Sequence, residues 1–239
     1  SDQIIDRLLT NHPGAVVVAS DSRLWYEPRV NMVLQDCAAD SLFDALDAGK
    51  REMEIISAYR TVAQQVMLYR WYREGRCGIT LASQPGDSNH EDGAALDIGD
   101  TDYWRPYLTA RGWNWQGSND PAHYSYRGSG FQNGVGSWGL GAFQQLWNEN
   151  NPNELLSVDG AYGPATEAAL LASPAEGWQM DPIRIFVNGT EQTEVIRAWL
   201  NKGTSVMSVA DWCRYAGYAP AVWENDENAV YLSTEKVQD

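Results

Sequence analysis

Hydrophobic positions along this chain of 239 residues change their spacing several times, and each change predicts a new element. "GAVVVAS" (Gly14–Ser20) is a short β-branched run and predicts a strand. In "CAADSLFDALDAGK", Leu42, Ala45 and Leu46 share one face of a predicted helix that ends at Gly49. "EMEIISAYR" (Glu52–Arg60) reads as a strand. Helical spacing then takes over in "TVAQQVMLYRWYREG", where Val62, Val66, Tyr69 and Tyr72 recur on one side. Thr61 and Gln64 form a capping-box pair at its start, and Gly75 stops it. Arg60 therefore stands between strand end and helix start, where side chains commonly face a cleft.

Further along, "ALDIG" predicts a strand, "DTDYWRPYLTARG" a helix closed by Gly112, and "AHYSY" (Ala122–Tyr126) an alternating strand. The glycine-rich stretch Arg127–Gly141 reads as a linker or domain boundary. Past it, "AFQQLWNENN" and "GPATEAALLAS" predict two helices joined by a turn-rich segment. From about Asp181 the composition shifts: "IRIFVNG" and "AVYLST" read as strands around a helix at "SVADWCRYAG". Three regions result, 1–130, 138–178 and 181–239. The fold class expected is α+β, with a small antiparallel sheet and flanking helices, a short helical segment and a small C-terminal mixed module.

Composition narrows the function. Hydrophobic residues are 44% and charged residues 21%, as in a globular protein, and no apolar run reaches membrane-spanning length. A net charge of −15 lacks the basic footprint that a nucleic-acid backbone requires, so nucleic acid is excluded as a partner. The chain carries 11 Trp and 12 Tyr against 4 Phe, a balance of flat apolar bodies with polar edges that suits sugars and peptides. Most of these aromatics are nevertheless expected in the core. The three cysteines form no C-x-x-C pair, which argues against a zinc–thiolate or redox motif; Cys37 and Cys77 could pair in an oxidising compartment. "SDQIIDRLLTNHPG" has neither the basic start nor the apolar stretch of a signal peptide.

The candidate chemistry lies in "SNHEDGAALDIGD" (Ser88–Asp100) and "NDPAHYSY" (Asn119–Tyr126), which hold two of the three histidines. A strand sends alternate side chains to one face, so Gly93, Ala95 and Asp97 line one side, with two small residues leaving space beside a carboxylate. His90 can fold back toward Asp97 from the preceding loop. Pro121 is expected to hold Asp120 extended, near His123 at the mouth of its strand. If the two strands are neighbours, His90, Asp97 and His123 converge, with Asp120 just outside. Two imidazoles and a carboxylate suit a catalytic zinc that keeps its fourth position for water, whose pKa the metal lowers toward neutrality. A carboxylate off the metal can carry the proton to the leaving amine, and Asp120 is placed for this. The same ligand set also serves non-haem iron, and a histidine on a strand is often a hydrogen-bonded core residue.

The pattern Ser88, His90, Gly93, Ala95, Asp97 and the later "DPAH" resemble the zinc D-Ala-D-Ala carboxypeptidases and related peptidoglycan peptidases, which share a fold with the hedgehog N-terminal domain. The resemblance spans roughly residues 1–126. It implies zinc as cofactor, His90, Asp97 and His123 as its ligands, and Asp120 as the base where many members have Glu. "SAYRTVAQQ" is similar to the family's S-x-Y-R-x-x-x-Q segment. That similarity makes Arg60 the residue that binds substrate and steadies the oxyanion, with Gln64 and Ser88 as further substrate-binding candidates. "DGAYGPAT" (Asp159–Thr166) is similar to the turn of a small helical peptidoglycan-binding repeat. The last module is similar to the small domain at the start of some copper amine oxidases, without copper ligands.

The resulting expectation is a secreted or periplasmic monomer that hydrolyses peptidoglycan stem peptides, most simply by removing the terminal D-Ala. Two alternatives stand beside it: an endopeptidase that cuts crosslinks, and a wall-binding or signalling module that keeps zinc without turnover. Retention of Asp120 and Arg60 speaks against the last, because a purely structural zinc needs neither.

Overall fold

The computed structural model describes residues 1–178 and, beyond them, the backbone of four strands at 184–187, 190–191, 222–224 and 229–232. Two compact units result, Ser1–Trp178 and Gln179–Asp239. The architecture is α+β, as the sequence predicts. In the first unit the order is α1 (Asp2–Asn11), β1 (Val16–Val18), β2 (Leu24–Tyr26), β3 (Val33–Gln35), α2 (Asp36–Gly49), β4 (Met53–Ser57) and α3 (Val62–Arg73). It continues with β5 (Ala95–Ile98), α4 (Thr101–Thr109), β6 (Trp113–Trp115), β7 (His123–Tyr126), α5 (Val135–Asn150) and α6 (Pro164–Ala172).

Five strands form the main sheet in the order β2-β4-β5-β7-β6, and β1 pairs with β3 in a separate ribbon. Every pair in the main sheet is antiparallel except β2 with β4. Alternation decides what each face carries. Met53, Ile55, Leu96, Ile98, Tyr124 and Tyr126 turn to one side, where they pack with Leu42 and Leu46 of α2 and Trp104 and Leu108 of α4. Ala95, Asp97, His123 and Ser125 therefore share the opposite side. A slip of one residue would drive Asp97 and His123 into an apolar core, at the cost of burying unpaired polar groups. Burial of this core thus fixes the register on which the chemistry depends.

The close fit between α2 and α4 makes a test of the packing. A Cβ added at Gly49 would overlap the ring of Trp104, a fully buried side chain. Gly49→Val should therefore cost about 1–3 kcal/mol of stability, the usual penalty of overpacking. Urea unfolding measures this, and an unchanged midpoint would refute the contact.

A second cluster gathers Ile4 and Leu8 of α1, Val62 and Val66 of α3, Phe143 and Leu146 of α5, and Ala169 and Leu170 of α6. Here the structure departs from the sequence reading. The glycine-rich stretch expected as a linker is helical from Val135. Its glycines permit close approach: a Cβ on Gly139 would sit 2.6 Å from the Tyr59 hydroxyl, and one on Gly136 3.2 Å from the Gly86 carbonyl. The helical segment 138–178 accordingly lies in the same compact unit as the sheet. Cys37 and Cys77 are free thiols.

In the second unit, β8 (Arg184–Val187), β9 (Thr190–Glu191), β10 (Val222–Glu224) and β11 (Ala229–Leu232) form a sheet in the order β10-β11-β8-β9. The strands expected at "IRIFVNG" and "AVYLST" coincide with β8 and β11; the helix expected at "SVADWCRYAG" lies outside the described residues. Among the described residues, no helix is long and apolar enough to cross a membrane.

Candidate metal centre and active site

β5 and β7 are neighbours, and their register sets Asp97 directly opposite His123, with Ser57 of β4 on the other side of Asp97. His90 arrives from the loop before β5. Its backbone carbonyl accepts from the amides of Arg60, at 3.2 Å, and Gly93, at 3.3 Å, which pins it against the end of β4. Gly93 adopts φ 63°. A Cβ there would lie 3.2 Å from the Gln35 amide, and the Gly93 carbonyl accepts from that amide at 2.8 Å. Gly93 thus serves the tight turn and close approach to β3 rather than leaving space beside the carboxylate.

His90 Nε2, His123 Nδ1 and Asp97 Oδ1 form a small triangle. Its edges are 3.2 Å between the two nitrogens, 3.0 Å from His123 to Asp97 and 3.5 Å from His90 to Asp97. The outer ring nitrogens are already engaged. His90 Nδ1 lies 2.6 Å from the Ala58 carbonyl. A carbonyl only accepts, so Nδ1 carries the hydrogen and Nε2 of the neutral ring presents its lone pair to the triangle. His123 Nε2 lies 2.9 Å from the Ser125 hydroxyl. Outer nitrogens held in this way are the usual support of metal-ligating imidazoles.

The triangle fits a metal ion. Zinc bonds of about 2.0–2.2 Å in tetrahedral geometry separate neighbouring donors by roughly 3.3–3.5 Å, close to the three edges observed. Histidine nitrogens and a carboxylate are the borderline donors zinc takes. Among the described residues, His90, Asp97 and His123 are the group of acidic and imidazole side chains able to share one ion.

Electrostatics agree with this arrangement. Burial pushes the His90 imidazolium down from its ordinary pKa, keeping the ring neutral and ready to ligate. Burial alone would raise Asp97, yet its close contacts with the His123 and His90 rings outweigh it and hold this carboxyl well below the usual carboxylate range. Asp97 is therefore an anion at neutral pH.

Arg60 borders the triangle, with Nη2 3.6 Å from Asp97 Oδ2. Burial lowers the pKa of its guanidinium, opposed by the charges of Asp97, Glu91 and Asp120. Asp120 is the weakest of these three opposing charges. It sits in a turn rather than an extended segment: its carbonyl accepts from the His123 amide at 3.2 Å, and Trp115 Nε1 donates to the Pro121 carbonyl at 2.9 Å. The turn leaves Asp120 exposed three residues ahead of His123.

Two sequence candidates lie elsewhere. Gln64 is spent on the capping box, its Oε1 accepting from the Thr61 amide at 2.9 Å and from Asn31 Nδ2 at 2.9 Å. The next residue, Gln65, reaches the site instead: it is fully buried, accepts from Arg60 Nη1 at 3.2 Å and donates to the Ser83 carbonyl at 2.8 Å. Ser88 is buried, and its hydroxyl accepts from the His90 amide at 3.3 Å, so it shapes the loop. Glu91 carried no signal as a site residue. Its carboxylate is buried, and Oε2 accepts from the amides of Gly86 at 2.8 Å and Ser88 at 3.3 Å. Burial pushes its pKa up to about 8 against those two hydrogen bonds.

The bond to Gln65 gives Arg60 a fixed fork, which makes a prediction. Arg60→Lys keeps the charge but cannot reach Gln65 and the substrate side together. For the oxyanion-steadying role that the resemblance implies for Arg60, a fall in kcat/KM of about 10²–10³ is expected. Steady-state kinetics on a D-Ala-D-Ala-terminated peptide test this, and a change under threefold would remove Arg60 from the reaction.

Residues 34–120 match the family model described as VanY: D-alanyl-D-alanine carboxypeptidase. The stretch contains Arg60, Ser88, His90, Asp97 and Asp120; His123 lies three residues past its end. No curated protein matches the chain. Among solved structures, the chain is similar to the LdcB LD-carboxypeptidase, at 19% identity over 62% of this chain and 77% of that chain, with a TM-score of 0.39. It is also similar to the vancomycin resistance D,D-dipeptidase VanXYg, solved with a D-Ala-D-Ala phosphinate analog, at 16% identity over 71% of each chain and a TM-score of 0.39. The resemblance read from the motifs is thus met by a family match: residues 34–120 carry the VanY D-alanyl-D-alanine carboxypeptidase pattern.

Proposed function

We propose that the chain is a zinc-dependent peptidase of peptidoglycan stem peptides that removes a terminal D-Ala, with His90, Asp97 and His123 as the metal ligands. The observation that carries this reading is the donor triangle, with edges of 3.0–3.5 Å, of which His90 and Asp97 lie inside a stretch that matches a carboxypeptidase family and His123 three residues past its end. When bound, zinc supplies a Lewis acid and a water acidified toward neutrality.

The chain's own residues do the rest. Arg60 lies beside Asp97 and is only partly exposed, so its guanidinium meets the substrate in a partly desolvated place. There it binds the substrate and stabilises the negative charge that grows on the carbonyl oxygen. Gln65 keeps that guanidinium in position. Asp120, exposed at the rim, accepts a proton at its carboxylate and returns it to the leaving amine. Ala58 and Ser125 hold the two imidazoles by their outer nitrogens. Segment 138–178 belongs to the same reading, as a contact with the wall. The expected setting is secreted or periplasmic, where this substrate is found.

The test is incubation with muropeptides that end in D-Ala-D-Ala, with and without a zinc chelator. Free D-Ala and the fragment masses are then followed. Release of D-Ala that stops with chelator and returns with zinc supports the reading. Crosslink cleavage without D-Ala release would make the enzyme an endopeptidase. Binding without any product would contradict hydrolysis.

A further inference from the structure

We propose that Asn89, Ser125 and Arg127 form a hydrogen-bonded tie that joins the two histidine-bearing segments and orients the His123 ring, so that these three are positioning residues for the metal. The inference rests on the zinc reading above. Its basis is a continuous chain of contacts behind the triangle. Arg127 Nη2 donates to Asn89 Oδ1 at 2.6 Å, Asn89 Nδ2 donates to Ser125 Oγ at 2.9 Å, and Ser125 Oγ lies 2.9 Å from His123 Nε2.

The direction of the first two bonds follows from the donor inventory, and the tie assigns the third. A guanidinium only donates, so it turns the Asn89 oxygen toward itself and the Asn89 amide nitrogen toward Ser125. Ser125 then accepts from Asn89 with one lone pair. Its second lone pair is free to accept from His123 Nε2–H. That tautomer leaves His123 Nδ1 unprotonated and aimed at His90 and Asp97, which is the state a metal ligand needs.

Position in the chain gives the tie its reach. Asn89 precedes His90 on the loop, and Ser125 follows His123 by two residues on the same face of β7. One amide side chain therefore fastens the loop that delivers one ligand to the strand that delivers the other. The far end is anchored as well. Arg127 Nη1 donates to the Tyr126 carbonyl at 2.7 Å, and the guanidinium lies over the Phe131 ring, 4.2 Å from its centroid.

Burial ranks the three residues. Ser125 is buried at 7% exposure, Asn89 is half-buried and Arg127 is exposed. An exposed charged contact contributes little, so Ser125 dominates and Arg127 matters least.

The experiment measures zinc affinity by competition with a chromophoric chelator, together with the visible absorption of the cobalt-substituted protein. Folding is followed by circular dichroism without metal. Ser125→Ala and Asn89→Ala should weaken zinc binding about tenfold to a hundredfold, the usual effect of removing a residue that supports a ligand. Arg127→Ala should weaken it only about threefold or less. The cobalt spectrum of Ser125→Ala should change while the metal-free thermal midpoint does not. Ser125→Thr, which keeps the hydroxyl and suits a strand, should restore both. Wild-type affinity and an unchanged cobalt spectrum in Ser125→Ala would overturn the tie alone. A wild-type protein that binds no zinc would overturn the peptidase reading and the tie together.

Discussion

Replacing His90 by alanine is expected to abolish zinc binding and, with it, all hydrolysis. His90 contributes one of three donor atoms, and its lone pair is already aimed inward because Nδ1 is committed to the Ala58 carbonyl at 2.6 Å. Without it, one nitrogen and one carboxylate oxygen remain, fewer than the three protein ligands on which catalytic zinc sites are built. The change removes a buried imidazole of 3% exposure, so some loss of stability accompanies it. Circular dichroism separates the two effects: the variant should keep its secondary structure and lose its metal. Elemental analysis after dialysis provides the count, with one zinc per wild-type chain and none in His90→Ala. A variant that keeps full metal content would show that the triangle does not hold the ion.

The second large effect is expected at Asp120. Asp120→Asn preserves shape and the turn, because the bond that closes it runs from the His123 amide to the Asp120 carbonyl and involves no side chain. Metal binding should therefore be unchanged. What the amide cannot do is accept a proton. A drop in kcat of about 10²–10⁴ is expected, the usual worth of a positioned general base, with little change in KM. Full kcat in Asp120→Asn at wild-type zinc content would move the proton transfer to another group.

Much of this architecture was legible because local signals and tertiary packing agree. The capping box at Thr61 and Gln64 forms with both of its reciprocal bonds, and α2 ends at Gly49 as its apolar spacing predicts. Alternation in β7 correctly separates His123 and Ser125 from Tyr124 and Tyr126, since only the tyrosines join the core. The pairing of β5 with β7 was a condition rather than a result of the sequence reading, because strand order depends on contacts distant in the chain.

Other features were hidden for identifiable reasons. Glycine usually breaks helices, so the stretch before Gly141 reads as a linker. In the fold those glycines let α5 approach Tyr59 and the 86–92 loop, and packing outweighs propensity. Gln64 and Gln65 are adjacent, and the cap already occupies the first, which leaves the second to reach Arg60. That conflict was readable, because one side chain cannot serve both tasks. Glu91 gave no warning, since acidic residues are ordinarily exposed. α1 was not expected either, although Ile4 and Leu8 stand four residues apart on its buried side.

The most direct test of the central claim is anomalous diffraction at the zinc edge from crystals grown with zinc. The account predicts a single strong peak about 2.0–2.2 Å from His90 Nε2, His123 Nδ1 and an Asp97 carboxylate oxygen together. Density showing the two imidazoles hydrogen-bonded to Asp97 with no anomalous scatterer between them, despite saturating zinc, would contradict it.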